Sequence, residues 1–119
     1  MILPDTSVWV EHIRSSNPRL EEFLLDSQIF VHPFVIGEIA CGNLRDRAQV
    51  LGFFGDLPCA VMAAHSEALR LVEEHRLWGR GITWIDVHLL ASSLLTGCRL
   101  WTLDRPLREA ARKLNVEYA

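Results

Sequence analysis

Lysine is nearly absent from this chain. Eleven of its twelve basic residues are arginine, and Lys113 is the single exception. With a net charge of −3, the composition is not that of a general, strongly basic nucleic-acid binder. The arginines nevertheless suit bidentate phosphate contact, although a G+C-rich coding sequence would favour arginine equally. Cysteine is scarce as well. Cys41, Cys59 and Cys98 are odd in number and widely spaced, which excludes a disulfide framework or a zinc pattern. Each sits among apolar neighbours and is expected to be a small buried hydrophobe. No hydrophobic run approaches the roughly 20 residues of a membrane span. Met1-Ile2-Leu3-Pro4-Asp5 lacks a basic leader region, so no signal peptide is expected and a cytoplasmic location is.

Several catalytic signatures are missing too. The five histidines, His12, His32, His65, His75 and His88, make no H-E-x-x-H pair. No G-x-S-x-G elbow accompanies Ser7, and Gly79-Arg80-Gly81 does not continue into a phosphate-binding Gly-Lys-Ser/Thr. Repeats, low-complexity segments and linkers are also absent.

What is present is an ordinary globular composition, half of it hydrophobic, of a length suited to one domain over residues 1–119. Short apolar runs alternate with helical patterns. Strands are expected at Met1–Pro4, Ile29–His32, Cys59–Met62 and Arg99–Leu103, with a last edge strand at Val116–Tyr118. Helices are expected at Ser7–Arg14, capped by Thr6 or Ser7, and at Pro18–Asp26, Phe34–Cys41 and Arg47–Leu57. Further helices are expected at His65–Trp78 closed by Gly79, Trp84–Thr96 closed by Gly97, and Arg105–Leu114. Val87, Leu90, Ala91, Leu94 and Leu95 share one face of the Trp84–Thr96 helix. This alternation predicts an α/β fold with a parallel sheet covered on both faces.

In such sheets, functional residues gather beyond the carboxyl ends of the strands. Four acids satisfy that rule: Asp5 after the first strand, Glu38 in the helix entered from Ile29–His32, Asp86 in the first turn of the helix after Gly81, and Asp104 after Arg99–Leu103. Three have a plain structural explanation. Asp5 and Asp104 can cap the helices that follow, and Thr83 with Asp86 fits a capping box. Glu38 interrupts the apolar run Phe34-Val35-Ile36-Gly37-Glu38-Ile39-Ala40-Cys41. There an ionised carboxylate should be costly unless paired, with Arg80 a candidate partner, or bound to metal. Four clustered carboxylates repel one another unless a cation lies between them. Oxygen ligands favour Mg²⁺ or Mn²⁺, and such an ion supports phosphodiester hydrolysis.

At these residues the sequence resembles the PIN-domain family, and within it the VapC-type toxins of bacterial toxin–antitoxin systems. Met1-Ile2-Leu3-Pro4-Asp5-Thr6-Ser7-Val8-Trp9 looks like the family's first motif, and Glu38 with Ile39 and Gly42 like the second acid on its helix. Gly81-Ile82-Thr83-Trp84-Ile85-Asp86-Val87-His88-Leu89-Leu90-Ala91 resembles the third, and Leu100-Trp101-Thr102-Leu103-Asp104-Arg105-Pro106-Leu107 the fourth. The resemblance implies a three-layer sandwich with a mainly parallel central sheet and helices on both faces. It implies that Asp5, Glu38, Asp86 and Asp104 bind Mg²⁺ or Mn²⁺ and cut RNA. Thr6, Thr102 and Arg80 would then be supporting or substrate-facing groups. It further implies a homodimer and a cognate antitoxin, whose surface could lie near the second helix and the Arg47–Leu57 helix. Pro4 departs from the pattern, since proline is poorly tolerated in a central strand.

Two other readings compete. A receiver-type Mg²⁺-binding signalling domain would need adjacent acids after the first strand and a lysine after a late strand. Here Thr6 follows Asp5, and Lys113 stands near the end. A catalytically silent PIN scaffold that binds RNA or protein is disfavoured by the presence of all four acids.

Overall fold

The computed structural model describes residues 1–119. Two three-residue strands, β1 (Ile2–Pro4) and β2 (Arg99–Trp101), pair in parallel with Leu3 opposite Leu100. Single parallel bridges extend the sheet outward: Ile29 to Ile2, Cys59 to Val31, and Glu117 to Leu100. The spatial order is therefore Cys59, Ile29–Val31, β1, β2, Glu117, all parallel. The expected strand at each of these places is present, but the outer ones are reduced to one bridge.

Pro4 accounts for part of that reduction. Ile2 N donates to Gln28 O, and Phe30 N donates to Ile2 O. The next donor on that side of β1 would be the nitrogen of Pro4, which carries no hydrogen. Pairing with the Ile29 strand stops there. Pro4 does not disturb the other side, where Asp5 N donates to Trp101 O at 2.9 Å.

Seven helices surround the sheet: α1 (Thr6–Ser15), α2 (Pro18–Leu25), α3 (Pro33–Ala40), α4 (Arg47–Gly55), α5 (His65–His75), α6 (Trp84–Thr96) and α7 (Arg105–Lys113). Three carry proline in the first turn, where the missing N–H costs nothing. Asp5, rather than Thr6 or Ser7, caps α1 by accepting from Val8 N. The α5 helix ends early, at Arg76 in the left-handed region (φ 52°), and not at Gly79. Gly97 (φ 75°) closes α6 as the pattern predicts.

The core is one cluster of 27 buried hydrophobic residues, from Leu3 and Leu100 in the strands to Leu107 and Ala111 in α7. Helix α6 runs through it, and Val87 to Ser93 are buried without interruption. That corrects the expected stripe: Leu94 and Leu95 are exposed. Of the cysteines only Cys98 is buried; Cys41 and Cys59 are exposed. No helix is long and apolar enough to cross a membrane.

Candidate active site

The carboxyl ends of β1 and β2 bring two loops together, and hydroxyl groups lock them. Asp5 is only 6% exposed. Its Oδ1 accepts from Ser7 Oγ at 2.5 Å and Val8 N at 3.2 Å, and its Oδ2 accepts from Thr102 Oγ1 at 2.5 Å. Thr102 Oγ1 also accepts from Asp104 N, and Ser7 Oγ accepts from Leu103 N. A carboxylate offers about four lone-pair sites, so three bonds hold Asp5 in place and leave room for one further ligand. Asp104 caps α7 by accepting from Leu107 N at 3.1 Å while remaining exposed.

The helices carry the other two acids. Thr83 and Asp86 form the predicted capping box: Thr83 N donates to Asp86 Oδ2 at 2.9 Å, and Asp86 N donates to Thr83 Oγ1 at 3.1 Å. Glu38 is exposed on α3, which corrects the expectation that its helix would bury it. The apolar run around it is sorted by face: Val35 and Ile39 point into the core, Gly37 and Glu38 outward. Its partner is not Arg80. Thr6 Oγ1 donates to Glu38 Oε1 at 2.6 Å, whereas Arg80 Nε donates to the carbonyl of Arg76.

Electrostatics tie the four acids into one site. Burial is the main reason the Asp5 carboxyl is pushed above its ordinary range; its hydrogen bonds from Ser7, Thr102 and Val8 oppose this, and the charge of Asp86 adds to it. Asp86 is raised chiefly by burial, against the bonds from Thr83, and further by the charges of Asp104 and Glu38. None of the four forms an ion pair, since both salt bridges of the protein, Arg105–Glu109 and Arg112–Glu117, lie outside the site. The acids share one end of the sheet without three of them yet converging on a single point. The donor set fits a hard divalent cation: all oxygen, buried in part, mutually repelling and unpaired.

The structure brings the four acids and the hydroxyls of Thr6 and Thr102 to this end of the sheet. Sequence reasoning gave Ser7 no part in the site, weighing it only as a helix cap and as a nucleophile. The available signal was its position two residues after an N-cap aspartate, where a short hydroxyl reaches back to the carboxylate. Arg108 was missed as well; its Nη2 donates weakly to Thr102 O at 3.4 Å. The five histidines play no part in the acid cluster. His32 is fully buried, its Nδ1 accepting from Phe34 N and its Nε2 bonded to Ser92 Oγ.

The fold is that of a known class: the PIN-domain model matches residues 2–113, and the chain belongs to the PIN-domain family. Within that family its relatives are of the VapC type. The chain is 45% identical, over all of its own length and 97% of theirs, to Ribonuclease VapC32 of Mycobacterium tuberculosis in two strains, CDC 1551 / Oshkosh and ATCC 25618 / H37Rv. Among solved structures, PAE2754 from Pyrobaculum aerophilum shares the fold with a TM-score of 0.60 at 19% identity, covering 91% of this chain and 77% of that one.

Proposed function

We propose that the protein is a Mg²⁺-dependent endoribonuclease, with Mn²⁺ able to substitute, and that Asp5, Glu38, Asp86 and Asp104 hold the ion. One observation carries this reading: four carboxylates share a sheet end, two of them partly desolvated, with no basic side chain paired to any. Such an ion, when bound, supplies an activated water for in-line attack and offsets charge on the leaving oxygen. The chain's own groups do the positioning. Ser7, Val8 and Thr102 fix Asp5, Thr83 fixes Asp86, and Thr6 steadies Glu38. Arg80 uses one donor on Arg76 O, and its remaining guanidinium donors suit an RNA phosphate.

The name of the VapC32 relatives supports RNA as the substrate. It also supports the role of toxin in a type II toxin–antitoxin pair, with a cognate antitoxin as partner. A hollow of about 510 Å³ between α1 and α4, lined by Trp9, Ile13, Val50 and Phe53 among others, suits an apolar antitoxin segment. A homodimer would use the exposed leucines Leu69, Leu94 and Leu95 of α5 and α6.

The test is cleavage of single-stranded RNA in EDTA, then with Mg²⁺ or Mn²⁺ restored, followed by analysis of the ends. Cleavage should require the ion and leave 5′-phosphate and 3′-hydroxyl ends, because water rather than the 2′-hydroxyl attacks. Ends bearing 2′,3′-cyclic phosphate would contradict the proposal.

A further inference from the structure

Beside the acids lies a second feature that the hydrolytic chemistry does not use. A mostly apolar hollow of about 490 Å³ opens between α3 and the first turn of α6, with Phe34, Gly37, Glu38, Cys41, Trp84 and Ile85 among its walls. Its volume falls within the range of small-ligand pockets. Glu38 belongs both to this hollow and to the carboxylate cluster, and Trp84 stands two residues before Asp86. Whatever occupies the hollow therefore lies against Glu38.

The aromatic wall is built in advance. Trp84 is 40% exposed. His88, almost wholly buried, holds it edge-on with ring centroids 4.8 Å apart at 86°, and His65 leans on it at 5.2 Å. Phe34 packs on the same His88 ring at 5.0 Å and 68°. The indole is thus braced by the buried His88 and the exposed His65 while keeping surface open.

Gly37 supplies an independent sign. It lies inside α3, where glycine weakens a helix relative to alanine. Its backbone is not in the left-handed region, and a Cβ added there would meet nothing within 4 Å. Neither conformation nor packing calls for glycine at this position. Its effect is to keep one wall of the hollow low.

Resting on the ribonuclease reading, we propose that this hollow seats the nucleobase next to the scissile phosphate of a single-stranded RNA, with Trp84 stacking on the base and Gly37 leaving room for it. A protein of net charge −3 gains little from general phosphate attraction, so base stacking is the natural source of hold. Stacking also accepts any base, because every base has a π-face.

The experiment uses a ten-nucleotide unstructured RNA that the parent protein cuts, and a series carrying one abasic ribose stepped along it. For the parent, kcat/KM should drop about tenfold when the abasic unit sits at one position beside the cut. Trp84→Leu and Gly37→Leu should cut intact RNA about tenfold more slowly and lose nothing further at that same abasic position. Abasic units elsewhere should affect all three proteins alike, and Trp84→Phe should regain much of the parent's behaviour. Thermal melts check folding; because the Gly37 Cβ enters open space, Gly37→Leu carries the test if Trp84→Leu is unstable. An unchanged abasic profile in Gly37→Leu would overturn the proposal. So would a uniform loss on every RNA with a change of oligomeric state by light scattering, which would make the hollow a contact between copies. If the parent cuts no RNA with Mg²⁺ or Mn²⁺, the ribonuclease reading itself fails, and the seat fails with it.

Discussion

The two halves of the acid cluster are built differently. Asp5 and Asp104 stand on strand ends, cross-linked by Ser7 and Thr102, and Asp5 is buried. Glu38, exposed, and Asp86, half-buried, stand on α3 and α6, and each is met by one nearby threonine. The first half is rigid because its hydrogen bonds tie together backbone from both strands. The second half depends on how α3 sits against α6. His32 links those helices: its Nδ1 caps α3 at Phe34 N, and its Nε2 bonds Ser92 of α6. The site therefore has one fixed wall and one adjustable wall.

The largest effect should come from the fixed wall. Asp5→Asn should reduce RNA cleavage by orders of magnitude. The amide still accepts from Ser7 and Val8, and it removes a desolvated charge that Asp86 repels. The metal-free variant should therefore melt no lower than the metal-free parent. A large fall in Tm would make Asp5 chiefly a helix cap.

Acid should loosen the adjustable wall. Burial, with some help from the charge of His88, lowers His32 from 6.5 to about 4. The unfolded chain then binds a proton that the folded one refuses, so stability is fully present above pH 6.5 and falls as the pH drops toward 4. The loss is roughly 3 kcal/mol once the pH reaches 4. His88, lowered by its own burial and by His65, acts in the same direction. Urea melts across this window should show a shallower pH slope in His32→Asn than in the parent; an equal slope would remove His32 from the account.

Thr102→Val keeps the shape but removes the donor to Asp5 and the acceptor for Asp104 N. A loss of about 1.5 kcal/mol in denaturation is expected, since buried partners are left unpaired. Thr6→Val should be the mildest, at about 0.5 kcal/mol, because its bond to Glu38 is solvent-exposed. If Thr6→Val proved the costlier of the two, the division into fixed and adjustable walls would be wrong.

The same division explains what could be read from the residues in advance. Asp5 and Asp104 follow apolar runs and precede helices, so local pattern places them. Helix α6 is bounded by Thr83 and Gly97, two strong caps, and its limits agree with the pattern. Glu38 was harder, because a short apolar run does not reveal which residues turn outward. The partners of Glu38 and Arg80 depend on chain segments far apart or on carbonyl groups, which carry no residue signature. The outer strands were expected as full strands, yet pairing there is limited to single bridges, on one edge by the missing N–H of Pro4.

The central claim, that the carboxylates hold a catalytic ion rather than merely cap helices, is tested most directly at Asp86, which is both a capping residue and a proposed ligand. The measurement is RNA cleavage against Mg²⁺ concentration for the parent, Thr83→Ala and Asp86→Asn, with a thermal melt on each. Thr83→Ala breaks the cap, so it should lower stability by about 1 kcal/mol and keep cleavage at saturating Mg²⁺. Asp86→Asn should stay folded and lose cleavage by orders of magnitude at every Mg²⁺ concentration. Cleavage by Asp86→Asn at the parent's rate would contradict the account.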